Sequence, residues 1–261
     1  MRKMAKTEKK KSKFRQEIAQ LREEMKPMTF KEKLEHIWTY YKEYIGLLAL
    51  FLFITTGLVT SMIRANKEVV VTGIMVNVTV EQQGMNYLSE GYAKAQGIKD
   101  TDKVKLEYTS FHDLATNASE ENYTAAMTVV AEVSAKKLDY MILDKLAMEF
   151  YSGQEVYLDL RDFFTTEELK KFMEEKKLAF CIEEDTLKGK SEEELTQLRW
   201  ECLENDDITG CWPAAVTITD LAYVKDNIQT EGDIYFALSG STTKINEVRK
   251  IWNHIQAWKT K

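Results

Sequence analysis

The sequence predicts an α/β domain built on a mostly parallel sheet with crossover helices, set behind one transmembrane helix. Three observations predict it. Residues 44–63, YIGLLALFLFITTGLVTSMI, form an uncharged apolar run of twenty residues. Between residues 68 and 144, short β-branched runs alternate with segments of helical period. The charge also changes sign across the apolar run: residues 1–63 hold 13 of the 36 Lys+Arg but only 7 of the 42 Asp+Glu. The arm is therefore about +6 and the remainder about −12.

Each part follows from its residues. The run RKMAKTEKKKSK at 2–13 is a solvated basic segment with nothing to bury. FRQEIAQLREEM at 14–25 has the pattern of a short helix ending before Pro27. These make a basic cytoplasmic tail of 1–28. Thr29 with Glu32 three residues on is a capping box, and Phe30, Leu34, Ile37, Trp38, Tyr41 and Ile45 then recur at helical spacing. This predicts an amphipathic juxtamembrane helix over 29–43, lying on the lipid surface and bending into the span; a docking helix for a cytoplasmic partner is the other reading. Trp38, Tyr41 and Tyr44 stand where an interfacial aromatic belt belongs.

Twenty residues at 1.5 Å each reach about 30 Å, the hydrocarbon thickness of a bilayer. A cleaved signal peptide fits poorly, because more than 40 residues precede the run and it exceeds the usual ~7–15. The Lys/Arg excess before the span predicts a cytoplasmic N-terminus and an extracytoplasmic domain over 66–261. Gly57 and Ser61 form a small-xxx-small pair, a weak signal for a homodimer through this helix.

In the outer body, EVVVTGIMVNVTV at 68–80 reads as a buried strand and MNYLSEGYAKAQGI at 85–98 as a helix stopped at Gly97. KVKLEYTS at 103–110 alternates as a strand does, residues 119–137 carry the apolar stripe Ala126, Val129, Val130 and Val133, and LDYMILD at 138–144 is a third strand. Strand, helix, strand, helix, strand at this spacing implies parallel strands, whose ligand sites lie beyond their carboxyl ends. Phe111, His112 and Asp144 stand at such ends, with Asn77–Gln82 after the first strand. Asp144 also suits the cap of the helix that follows it. ALSGSTTK at 237–244 offers Ser239 and Ser241 as anion contacts, or Ser241 or Thr242 as a plain cap for the last helix.

The stretch LDYMILDKLAMEFYSGQEVYLDLRDFFTTEELKKF, with WPAAVTITDL at 212–221 and DIYFALSGSTTKINEVRKIWNHI at 233–255, resembles type II periplasmic solute-binding proteins. The resemblance implies a first-lobe strand ending at a polar residue, a short helix after it, and an acidic helix over 165–172. It also implies a small solute held near Phe111, Asp144 and Ser239. Such proteins have two complete lobes; here the second is absent or reduced to a fragment around 174–210. That departure leaves room for the other function class, a structural or assembly subunit of a membrane protein complex with no small ligand.

Several classes are disfavoured. The acidic body argues against nucleic acid. No nucleophile elbow, phosphate loop or His-Glu-x-x-His is present, so no enzyme, cofactor or metal is expected. ENDDITG lacks the spaced ligands of a calcium loop. Cys181, Cys202 and Cys211 have no zinc spacing; a Cys202–Cys211 bridge is open to them, but unbridged thiols are the expectation. His254 on the last helix reads as a rim residue.

Overall fold

The computed structural model describes residues 23, 26–65, 69–205, 208–229 and 232–260. The chain divides into two compact units, Met1–Lys67 and Glu68–Lys261. The basic run at 2–13 and most of 14–25 lie outside the described residues.

In the first unit, α1 runs unbroken over Phe30–Ala65, 36 residues. The expected surface helix and the expected span are thus one continuous helix, with no break at residue 43. Its opening is the anticipated one: Glu32 accepts from the Thr29 N–H at 2.7 Å, and the Thr29 hydroxyl accepts from the Glu32 N–H at 3.5 Å. Lys42–Thr60 is long and apolar enough to cross a membrane, and none of it is covered by protein. Thr55, Thr56 and Thr60 return their hydroxyls to the helix's own carbonyls four residues back, so the span carries few free donors. Trp38 and Tyr44 are exposed on this helix; Tyr41 lies in it, its side chain outside the described ones.

The second unit is a mixed α/β domain. Its elements are β1 (Val71–Val76), β2 (Thr79–Val80), and a helix α2 assembled from Gln82–Asn86, a π turn Tyr87–Gly91, and Tyr92–Ala95. Then come β3 (Val104–Thr109), α3 (Glu120–Ser134), β4 (Tyr140–Asp144), α4 (Lys145–Tyr151), α5 (Thr166–Glu174) and β5 (Leu178–Ile182). The chain continues through α6 (Glu184–Leu187), α7 (Glu192–Glu204), β6 (Cys211–Thr217), α8 (Ala222–Asn227), β7 (Ile228–Gln229), β8 (Ile234–Leu238) and α9 (Ile245–Gln256). Helix starts follow their caps: Ser119, Thr165 and Ser191 each accept from a backbone N–H two or three residues inside their helix, the last two as full capping boxes.

Six strands form one sheet in the order β3-β1-β4-β8-β6-β5. β1 pairs in parallel with β3 and with β4, as the alternation predicts. β8 enters antiparallel to both β4 and β6, and β5 is antiparallel to β6. Four strands therefore run one way and two, β8 and β5, the other. Helices cover both faces because the central strands are apolar on both sides. One face packs Val71, Met75, Tyr140, Ile142 and Phe236 against α2, α8 and α9; the other packs Ile74, Val76, Met141 and Leu143 against α3 and α4. α9 shows how a helix is held: Val248, Ile251, Trp252 and Ile255 fall at i, i+3, i+4 and i+7 and all are buried. Each such side chain contributes about 1.5–3 kcal/mol.

Cys202 at the end of α7 and Cys211 at the start of β6 are joined in a disulfide, with Cα atoms 6.2 Å apart. This corrects the expectation of unbridged thiols. Spacing alone could not show it, because the turn that brings the two residues together is set by α7 packing beside β6. Cys181 is the free thiol and is buried.

Candidate functional site

The carboxyl ends of β1, β3 and β4 are where the site was expected. The chain passes from β1 to β3 on one side, then to β4 on the other, so the switch point lies between β1 and β4. Asn77 occupies it. This residue follows β1 with φ 57°, a left-handed conformation that asparagine tolerates. Its side-chain oxygen accepts from the Phe111 N–H at 2.8 Å, and its amide donates to Asp144 Oδ1 at 3.3 Å. Its own N–H donates to the Thr109 carbonyl at 3.0 Å. One side chain thus stitches three strand ends together.

Asp144 is held from the other side as well. It is the N-cap of α4, accepting from the Ala147 N–H at 2.8 Å. Burial pushes its carboxyl above the usual range, while the Ala147 N–H and the Asn77 amide pull it back. Phe111 is buried with its ring 5.2 Å from Phe150 and 5.8 Å from Tyr151. The crevice between β1 and β4 is therefore filled by its own side chains.

His112 lies next to it on a polar hollow of about 350 Å³, lined by Ser110, Asn117, Ser119, Glu121 and Asn122. Asn122 is buried and fixes this loop: it accepts from the His112 N–H at 2.7 Å and donates to the carbonyls of His112 and Asn117 at 2.9 and 2.7 Å. Asn77 and Asn122 both begin Asn-x-Thr sequences, yet each is spent on these internal bonds.

Ser239 and Ser241 do not join this group. β8 is antiparallel to β4, with Asp144 opposite Ile234 and Tyr140 opposite Leu238. The end of β8 therefore lies at the start of β4, the opposite rim of the sheet. A sequence-level strand carries no direction, which is why the five residues were expected together. Nor do Ser241 or Thr242 cap α9; Lys244 precedes it without a side-chain cap.

At that opposite rim Ser239 and Ser241 bond to each other at 3.1 Å beside Asp139, a residue sequence reasoning passed over. Asp139 is buried and accepts from the Thr72 N–H at 2.8 Å and the Thr242 hydroxyl at 2.8 Å. Lys244 reaches it at 3.4 Å and donates to the Val69 carbonyl at 2.9 Å. An aspartate opening an apolar strand was the available signal, since such a group is buried only when partnered. The arrangement ties β1, β4 and the start of α9 together through one carboxylate.

His254 is half-buried. Its ring stacks on Tyr87 at 4.0 Å and its Nε2 lies 3.0 Å from the Tyr87 carbonyl. Among the described residues no three His, Cys, Asp or Glu side chains gather as a metal site needs. No protein-family model, no curated protein and no solved structure matches the chain, so its function is argued from these residues alone.

Proposed function

We propose that the chain is a single-pass membrane protein that holds its acidic α/β domain outside the cytoplasm, where the domain works as an interaction module in a membrane assembly. The observation that carries the interaction reading is the stitched crevice: Asn77, Asp144 and Phe111 spend their hydrogen bonds on one another where a solute would have to enter. The outside location is supported by the Lys/Arg excess before the span and by the Cys202–Cys211 disulfide, a bond that persists in oxidising compartments. The sheet's parallel half and the helix after Asp144 are in keeping with one lobe of a solute-binding protein, a resemblance that concerns shape rather than ligand.

A second reading rests on the polar hollow at His112, which is large enough for a small anion or amino acid. Thermal unfolding of the full chain in nanodiscs separates the two. The panel is amino acids, sugars, short peptides and inorganic anions. A ligand at 100 times its Kd adds about 2.7 kcal/mol of stability. The interaction reading expects no shift across the panel; an upward shift that His112→Ala removes would replace it with the solute reading. Protease added to intact cells should digest the domain. Digestion only after lysis would overturn the orientation.

A further inference from the structure

The sheet ends at β5, and that edge is bare. Lys177 and Glu183 flank β5 and bond inward, through the Lys177 carbonyl to Thr217 at 2.7 Å and the Glu183 N–H to Gly210 at 2.8 Å. Alternation then turns the backbone of Ala179 and Cys181 inward to β6 and that of Leu178, Phe180 and Ile182 outward. Among the described residues no further strand pairs with β5 on that side. The usual protections of an edge are charge or proline in the strand, and LAFCI has neither. A groove of about 610 Å³ follows the same edge, lined among others by Leu178, Ala179, Phe180, Met173, Trp200 and Tyr235. Successive strand residues face opposite sides of a sheet, so a hollow touching three in a row wraps the edge itself.

The flanking charges say what lies there. The sequence reads Lys176-Lys177, then LAFCI, then Glu183-Glu184, and it is centred on Phe180. An identical strand laid antiparallel with Phe180 opposite Phe180 sets Leu178 against Ile182 and Lys177 against Glu183. Lys177 of each strand then meets Glu183 of the other; a parallel copy loses that match. Glu183 is exposed. Lys177 is partly engaged, 2.9 Å from Glu175.

Building on the interaction reading, we propose that the partner is a second copy of this chain, joined through antiparallel pairing of β5 with β5 about a two-fold axis at Phe180. The outward groups of Leu178, Phe180 and Ile182 supply paired N–H···O bonds from each strand to the other, and the two six-stranded sheets become one. The contact is isologous and closed, so it stops at two copies. Anchoring both copies in one membrane raises their effective concentration and favours the pairing.

Cross-linking of full-length chains in nanodiscs tests the register. Phe180→Cys chains should link to themselves on mild oxidation. Leu178→Cys chains should link only when mixed with Ile182→Cys chains. Lys177→Glu should weaken dimerisation roughly tenfold or more by setting like charges opposite, and adding Glu183→Lys in the same chain should restore it. Circular dichroism of each variant checks that the chain is folded. Failure of Phe180→Cys to link in a folded chain, or equal linking by Leu178→Cys alone, overturns the proposal. So does a dimer indifferent to both charge changes, which would lie in the membrane helix instead. A monomer that remains inert to the solute panel keeps the interaction reading and removes only the second copy as its partner.

Discussion

Gly73 to Ala should be among the most damaging single-methyl changes in this domain. Gly73 sits in β1 directly across from Tyr140 in β4. A Cβ built on Gly73 would lie 2.1 Å from Tyr140 Cζ and 2.5 Å from its hydroxyl. Ordinary contact begins near 3.4 Å, so the ring would have to move by more than an ångström. It has nowhere to go: Tyr140 is wholly buried and stacks on Phe236 at 5.8 Å. Overpacking of this kind costs about 1–3 kcal/mol and sometimes more, against a gain of about 0.4–1 kcal/mol from stiffening the unfolded chain. A loss near 3 kcal/mol corresponds to a fall of about 6–12 °C in Tm for a domain of this size. Among the described residues the Tyr140 hydroxyl has no hydrogen-bond partner, so Tyr140→Phe should be neutral or stabilising by itself. Thermal and urea unfolding of the full chain in detergent would measure both. Adding Tyr140→Leu to Gly73→Ala should cost less than the sum of the two, because the clash is shared. A change below about 0.5 kcal/mol for Gly73→Ala, within the range of ordinary surface substitutions, would refute the close approach.

Other outcomes follow from groups already described. Burial pushes the Cys181 thiol up to about 12, so the native chain should take up no thiol reagent, the denatured chain one equivalent, and the reduced denatured chain three. Replacing Cys202 and Cys211 by serine should lower stability by about 2–3 kcal/mol, the loop-closure effect of a nine-residue separation; an unchanged urea midpoint would argue against the bridge. Glu132 has its carboxyl raised by burial first and by the neighbouring Glu107 second. The folded chain therefore holds that proton more tightly than the unfolded one. The resulting stability is full at low pH and is lost as pH rises through the raised carboxyl range. Glu132→Gln should flatten this decline, from the ordinary glutamate range upward, in a pH-resolved unfolding series. Asp139→Ala should destabilise by about 1–3 kcal/mol, because it leaves the Thr72 N–H without its carboxylate, while the partly exposed Lys244 can turn to water; Lys244→Met leaves the carboxylate bonded to two donors and should cost less.

Much of the fold was readable from residue order. The β-branched runs at β1 and β4 are too short and too apolar for anything but buried strands, and Ser119, Thr165 and Asp144 mark helix starts by their side-chain oxygens. Strand direction was not readable. The residues of β8 are as apolar as those of β4, and nothing in their alternation says which way the strand enters the sheet. The consequence was local and large: Ser239 and Ser241 were expected beside Asp144 and lie at the other rim. β5 was hidden for a different reason. Its five residues sit between two charged helices, and a strand that short shows its nature only through its pairing with β6. The π turn at Tyr87–Gly91 gave no signal either, since its residues are compatible with an ordinary helix. Of the site, Asp144 is the helix cap that its position suggested. A polar side chain at such an end is equally suited to grip a ligand or its neighbours, and residue order alone did not show that Asn77 reaches both Phe111 and Asp144.

The unbroken helix α1 has a mechanical consequence. Thirty-six residues make a rod of about 54 Å, and a bilayer that takes up Lys42–Thr60 uses only about half of it. The chain's two prolines, Pro27 and Pro213, both lie outside this helix, so the commonest cause of a sharp kink is missing from it. Phe30, Leu34 and Trp38 lie on the same shaft as that apolar stretch. A partner that grips these first three or so turns can twist or push the shaft as a unit. Displacements of an ångström or two, the scale on which helices shift in switching proteins, would be carried along Phe30–Ala65 as rotation or piston stroke.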